Sequence, residues 1–399
     1  MDIGFYEIII PKLRKILRST SIKDIEWLKD KVLEQWIISR PSETLPDIVY
    51  GVDGGSKGID FKGFTLAFIT AGSVGYHKED NILKFCNRYR AAYVDKVTPP
   101  FNISERISLY REILEGKIAC HSCRDHGLVL MDGTIESAII APRPRVSRKD
   151  LEEIPFLRRY TIVEGATSYV MEEKPELFDE LFRCIDGSLT KIDRLHENPV
   201  CASILDYSFV RNPKIVDYIA VSMEYIEKVY VYGRLLERIA RDNCRLVYIA
   251  KTSRSTDLFR SNIYPDIILF EKLTNEPGYS KVNKQSLISV KLLPRLYISR
   301  SYREALDLYE KMCIYYTFSR FMEYGPVLGV EVIDLCTPSR VNDDSFKQLH
   351  DILSTISVNG YPFPLKIAHH EVHITGDDVS RLLHLLGLDI ETTGREVLR

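Results

Sequence analysis

The 399-residue sequence holds no apolar run near the roughly 18 to 20 residues that a membrane helix needs. Its first residues, MDIGFYEIIIPKLRK, lack the basic-then-apolar order of a secretion signal. Together these absences set the expectation of a cytoplasmic protein. An excess of one charge is also missing: 54 Lys and Arg stand against 56 Asp and Glu, a formal net charge of -2. That excludes a uniformly basic coat, so nucleic acid would have to be held by a local patch, a partner or a metal site. Cysteine is sparse. Eight in a chain of this length are too few for a disulfide scaffold, and reduced thiols are expected. Cys120 and Cys123, with His126 nearby, form a close pair, but no second pair follows at a zinc spacing. No GxxxxGK[ST] phosphate loop, internal repeat or low-complexity segment occurs.

What is present is the composition of a soluble globular protein, 45% hydrophobic and 28% charged, long enough for one large or two fused units. Residues 1–46 read as an N-terminal helical region, with helix over 5–40 and a basic stretch at Lys12, Arg14, Lys15 and Arg18. In 47–140 the period is that of strands: DIVYGVD ends in a Gly-rich turn at Gly54-Gly55-Ser56, and β-rich runs follow at 64–76 and 88–97. Short polar connections such as HKEDN make these an antiparallel meander. Over 103–118 the apolar residues recur at helical spacing, and Asn102 with Glu105 resembles a capping box. A strand over 128–131 then ends in Asp132-Gly133-Thr134. A helix between strands requires a crossover and a parallel neighbour, so the sheet is mixed. Residues 141–240, opening on Pro142-Arg143-Pro144-Arg145, read as a mostly helical insertion. Strand signals resume in 241–399, at 245–250, 267–270, 315–320 and 328–333. A helix over 344–356, a strand-like 366–374 and a final helix over 377–386 complete the pattern.

Asp53 and Asp132 are each expected at the C-terminal end of an apolar strand, followed by Gly and a hydroxyl residue. Two such carboxylates on one sheet could share a divalent cation, since Mg²⁺ and Mn²⁺ favour oxygen ligands. The same local pattern at Asp186-Gly187-Ser188 lacks the strand and reads as turn chemistry. On the intervening helix, Glu115 lies roughly 100° from the centre of the apolar stripe, on the flank of the buried face. Glu112, about 160° away, and Glu105, roughly opposite, are expected to be solvated. The alternative for Glu115 is a surface ion pair with Arg111 or Lys117. In the tail, strand alternation puts His369 and His373 on one face and His370 on the other. His369 is a candidate metal ligand or proton-transfer group.

In order, these pieces are a strand ending in VDGGS, a helix with a late Glu, a strand ending in LMDGT and a C-terminal GYPFPLKIAH segment. That order resembles the NurA family of archaeal and bacterial DNA-end nucleases. The family pattern falls on Asp53, Glu115, Asp132, Tyr361 and His369, separated by 62, 17, 229 and 8 residues, of which the 17 and the 8 are the most characteristic. The likeness spans residues 47–370. Residues 250–255 (AKTSRS) resemble the family's Lys/Ser turn after a central strand, which implies Lys251, Ser253 and Arg254 as DNA contacts. Departures are Thr134, where Ser is more usual, Glu112 as a rival to Glu115, and 141–240, which matches nothing residue by residue.

The resemblance implies an α/β fold with an RNase H-like mixed sheet flanked by helices and carrying a helical insertion. It implies a Mn²⁺- or Mg²⁺-dependent nuclease acting on single- and double-stranded DNA, with 5′-to-3′ exonuclease and single-strand endonuclease activity. It further implies a homodimer working with a hexameric HerA-type helicase-translocase in DNA end resection and double-strand break repair. Asp53 and Asp132 would be primary ligands and Glu115 a ligand or orienter of the attacking water. His369 would be a ligand or proton shuttle, and Tyr361 would position the scissile phosphate. Arg143, Arg145, Lys251 and Arg254 would line a local channel. A rival from another class reads DGGSKG as the phosphate-binding turn of sugar kinases and actin-like ATPases, with Asp132-Gly-Thr as its second copy. That fold needs a late glycine-rich adenosine turn, which Gly325 and Gly329 do not form. A non-catalytic scaffold is the third option.

Overall fold

The structure, a computed structural model, describes residues 9–10, 25–40, 42–61, 64–98, 101–123, 127–139, 152, 154, 161–261, 264–287, 298–385 and 387. The basic stretch at 12–18, His126, Arg143 and Arg145 lie outside the described residues. One ten-stranded mixed sheet forms the body, in the order β1-β7-β9-β10-β6-β5-β2-β3-β4, with β8 paired to β9. The long meander is β2 (Ile48–Phe61), β3 (Phe64–Glu79) and β4 (Ile82–Val97), all antiparallel. Asp80 and Asn81, both at positive φ, make the two-residue turn into β4, as the polar HKEDN segment predicts. β5 (Leu128–Asp132) and β6 (Arg245–Ala250) then run parallel to β2. β9 (Met312–Arg320) and β10 (Val327–Leu335) return antiparallel beyond β6. β1 (Trp36–Ile38), β7 (Gly278–Ser280) and β8 (Asn283–Ser286) close that side; β1 pairs with β7, so the region read as purely helical also feeds the sheet.

Helices cover both faces. On one lie α2 (Ile103–Ser122) and α7 (Pro213–Arg241), packed together, with α3 (Ile135–Ile139), α4 (Ile162–Glu173), α5 (Glu176–Thr190), α6 (Ile192–Glu197) and α9 (Arg300–Lys311) around them. On the other lie α10 (Asp343–Thr355) and α11 (Phe363–Val372), the latter reached through the hairpin β11 (Ser357–Val358) and β12 (Tyr361–Pro362). A third apolar cluster joins α1 (Lys29–Gln35) and α8 (Asp266–Leu273) to Trp36, Phe318 and Val327. The final helix is α12 (Gly376–Leu385), followed by Gly387 at positive φ. Among the described residues no helix is long and apolar enough to cross a membrane.

Four local expectations are corrected. Residues 267–270 are helix, not strand; a four-residue apolar run fits either, and Pro265 before α8 decides for helix. Residues 366–374 are also mostly helix, because Phe363-Pro364 supplies a proline in the first turn of α11. Asn102 makes no capping box: its backbone is left-handed and its side-chain amide donates to Asp217 at 2.6 Å. The thiols are not all reduced, since disulfides join Cys123 to Cys244, Cys184 to Cys201 and Cys313 to Cys336. The first of these spans 121 residues and links the end of α2 to the start of β6, a pairing that only tertiary structure creates. It also removes Cys123 from any zinc role.

A hydrogen bond from the Ile135 N–H to Glu331 Oε2, 2.9 Å, fixes the start of α3 just after Asp132. Burial pushes the Glu331 carboxyl up to about 7, opposed by that bond and assisted by Glu136. A carboxyl with a raised folded value favours folding fully below about 4.3, its ordinary value, and loses that contribution as pH rises toward 7. Glu331→Gln keeps an acceptor and sheds the charge. In urea melts its unfolding free energy should equal that of the wild type near pH 4 and exceed it at pH 8 by about 3 to 4 kcal/mol. Equal midpoints at both pH values would show that this carboxylate is not strained.

Candidate active site

The register of the parallel strands sets two carboxylates side by side. Val52 of β2 lies opposite Met131 of β5, so Asp53 and Asp132 follow on adjoining strands, about 4.8 Å apart across the sheet. By alternation both share a face with Val49, Leu128 and Leu130, the face that α11 covers. β5 ends at Asp132 while β2 continues to Phe61, so the pair sits where the parallel part of the sheet stops. Gly54-Gly55-Ser56 is therefore not a turn, and Asp53 lies inside a strand rather than at its end.

The glycines have a different purpose. A Cβ on Gly51 would overlap the Pro364 carbonyl, and one on Gly55 the Val372 carbonyl. Without them, α11 lies with its backbone against β2 and brings His369 onto Asp53, between the two glycines. On the opposite face a Cβ on Gly54 would overlap the carboxylate of Glu115, so α2 reaches the same point from behind. Three glycines around one aspartate seat two helices.

Asp53 is 9% exposed. Its Oδ1 accepts the Gly54 N–H at 2.8 Å and its Oδ2 lies 2.7 Å from His369 Nδ1. Burial raises its pKa against those two bonds, and the Asp132 charge adds to the rise. Burial pushes Glu115 up to about 8; Arg111 opposes this, and Asp53, Glu112 and Asp132 reinforce it. Arg111 Nε is 3.4 Å from Glu115 Oε1. Asp132 is more open: Lys251 Nζ donates to its Oδ2 at 2.8 Å and the Tyr361 hydroxyl to its Oδ1 at 3.4 Å. The Lys251 ammonium also sits 4.8 Å over the Tyr361 ring.

Asp53, Asp132, Tyr361, His369 and Lys251 are thus gathered on the face that α11 covers, while Glu115 meets Gly54 from the α2 face. Ser253 accepts the Ser255 N–H within its own loop at 3.2 Å, and Arg254 is exposed on that loop. Glu112 is not solvated: it faces α7, where Lys228 donates to it at 2.9 Å, and this leaves Glu115 as the acid of α2 that meets Gly54. The helical wheel missed this because α7 covers the flank that an isolated helix would expose. His369 and His373 do share a side, through helical spacing rather than strand alternation, with ring centroids 5.3 Å apart. Sequence reasoning did not find Glu371, which pairs with Arg88 at 3.0 Å and with Arg90, tying α11 across β3 to β4. Its one signal is its place in α11, two residues after His369.

As oriented, no three His, Cys, Asp or Glu among the described residues converge tightly enough to hold an ion. Two of the carboxylates are instead engaged by fixed cations, Arg111 and Lys251, and the third by an imidazole. The donor set, three carboxylates and one imidazole, has the hard, oxygen-rich chemistry that Mn²⁺ and Mg²⁺ take. In donor chemistry the set fits such an ion.

A family model described as the NurA domain matches residues 47–374. The probable DNA double-strand break repair nuclease NurA of Methanocaldococcus jannaschii is 25% identical over 93% of this chain and 87% of its own length. The DNA double-strand break repair nuclease NurA of Saccharolobus solfataricus is 25% identical over 90% of this chain and 87% of its own. Among solved structures, the NurA nuclease from Sulfolobus solfataricus superposes with a TM-score of 0.64 at 22% identity, over 98% of both chains. A NurA bound to dAMP and manganese gives 0.58 at 15% identity, over 98% of this chain and 99% of that one. These likenesses establish the fold as an α/β mixed sheet with flanking helices.

Proposed function

The chain belongs to the NurA family, and on that premise we propose that it is a manganese-dependent deoxyribonuclease of DNA double-strand break repair. The observation that carries this is the placement of Asp53 and Asp132 on neighbouring strands with Glu115 against Gly54 and His369 against Asp53. Mg²⁺ is the second candidate ion. The core is RNase H-like in this proposal, formed by 47–140 and 241–399. Residues 1–46 form the N-terminal region and 141–240 the helical insertion. Cleavage is 5′-to-3′ on ends and endonucleolytic on single strands. The active form is a homodimer coupled to a HerA-type hexameric helicase-translocase, which suits a chain with little net charge.

Asp53 and Asp132 would hold the ion, with Glu115 as a further ligand or the orienter of the attacking water and His369 as a further ligand or the proton shuttle. Bound there, it would supply hydroxide from water at neutral pH and neutralise charge on the leaving oxygen. The protein's own groups prepare the rest. The Gly54 N–H and His369 fix the orientation of Asp53, and desolvation around it strengthens its pull on a cation. Tyr361 and Lys251 present an O–H and an ammonium at the Asp132 edge, where a phosphate oxygen can take both. His369, half-exposed, offers its second ring nitrogen to carry a proton to or from the reacting oxygen. The ATPase alternative loses its basis, because the glycines it needs in a turn lie inside β2.

End-labelled linear DNA should be degraded with Mn²⁺, left intact with chelator, and cut without ATP hydrolysis by the isolated chain. ATP turnover with intact DNA would reverse this assignment.

A further inference from the structure

The loop between β9 and β10 carries the most exposed large aromatic of the sheet's C-terminal edge. Tyr324 is 73% exposed and its backbone is left-handed, with φ 54°. That conformation is an outlier for a bulky residue and carries strain. Yet the ring buries nothing that would offset it. The loop is nonetheless rigidly held. Buried Arg320 donates to the carbonyls of Gly325, Thr274 and Glu271, and the Tyr324 N–H donates to the Asn275 carbonyl at 3.0 Å. Met322, beside it, is exposed too.

This tip adjoins the site. Gly360 makes the turn of the β11–β12 hairpin, so close to Pro326 and Met322 that a Cβ on it would overlap the proline ring. The next residue is Tyr361, whose hydroxyl reaches Asp132, and the previous strand carries exposed Val358. Register gives the distance. Asp132, Ile249 and Val330 are aligned across β5, β6 and β10. The β10 start at Val327 is therefore about 10 Å further along the strand direction and two strand spacings, about 10 Å, to the side. That is the reach of a short single strand leaving the Asp132 edge. Lys251, Arg254 and Arg260, on the segment that leaves the end of β6, are exposed and match a phosphate backbone. At the tip itself Glu323 is exposed and repels phosphate, which leaves the ring of Tyr324 to the face of a base.

We propose that Tyr324, beside Met322, is a stacking platform for an unpaired base of the strand whose phosphate enters beside Tyr361 and Lys251. This rests on the nuclease assignment above and adds a preference for frayed or single-stranded ends, since a base inside a duplex is already stacked on both faces. Aromatic stacking of this kind is sequence-tolerant and rigid platforms favour it.

The test measures binding of dye-labelled oligothymidylate and of a blunt duplex by anisotropy in chelator, using the full chain. Tyr324→Ala should weaken oligothymidylate binding roughly tenfold or more, Tyr324→Phe should stay within about twofold of wild type, and duplex binding should not change. Tyr324→Asn provides a variant that tolerates the left-handed backbone while removing the ring, and it should lose binding as Ala does. Wild-type affinity in both ringless variants, or equal losses on single strand and duplex, would overturn the platform. Metal-dependent cutting by the wild type, read in parallel, separates the two levels: if it is present, such results sink the platform alone, and if it is missing the nuclease assignment falls with it.

Discussion

Asp53→Asn should lower Mn²⁺-dependent degradation of end-labelled DNA by roughly 10³-fold or more, while leaving the urea midpoint equal to or above that of the wild type. The first half follows from charge. A metal-held site stabilises a phosphoryl transition state by several kcal/mol, and losing about 4 kcal/mol of it is a factor of about 10³. Asparagine has the shape of the aspartate and can still accept the Gly54 N–H, but it brings no negative charge to the ion. The second half follows from burial. Because desolvation raises the Asp53 pKa in the folded chain, ionising it costs more there than in the unfolded chain, and a neutral amide removes that cost. Activity and stability thus move in opposite directions at one residue, as at many catalytic positions. Asp186→Asn is the matched control. It too precedes a glycine, in Asp186-Gly187-Ser188, but it lies in α5, hydrogen-bonded to Tyr230, and its variant should cut DNA at the wild-type rate. An Asp53→Asn protein that degrades DNA normally would move the site elsewhere.

Lys117→Met should destabilise the fold by about 3 to 5 kcal/mol, read as a fall in the urea midpoint at unchanged slope. Lys117 and Glu227 are both fully buried, with Nζ and Oε1 2.7 Å apart. Lys117 also donates to the Pro199 carbonyl at 2.8 Å, and Glu227 accepts the N–H groups of Cys201 and Ala202 at 3.0 and 2.7 Å. The pair therefore fastens residues 199–202 between α2 and α7. Removing the ammonium leaves a carboxylate in the interior with no counter-charge. The double substitution Lys117→Met with Glu227→Leu should recover much of the loss, because a buried pair is held against a large desolvation penalty that two apolar side chains do not face. A single variant as stable as the wild type would mean that water reaches this pair.

The meander and the parallel crossover are legible in the sequence because their periods are unambiguous and their turns carry Asp-Asn and Asp-Gly signals. The alignment of Asp53 with Asp132 follows from that topology. The misreadings share a cause. Gly54 and Gly55 look like a turn until α2 and α11 are seen to occupy the space their missing side chains leave. Glu112 looks solvated until α7 is placed on it. The Cys123–Cys244 bond is invisible until α2 and β6 meet. The tail helix is the exception. Pro364, ahead of a run with helical spacing, was a local signal for α11 that the apolar look of 365–368 obscured.

Arg111 and Lys251, resting against Glu115 and Asp132, give the proposed enzyme a threshold. A dication arriving there would have to displace two tethered positive charges from the oxygens it takes.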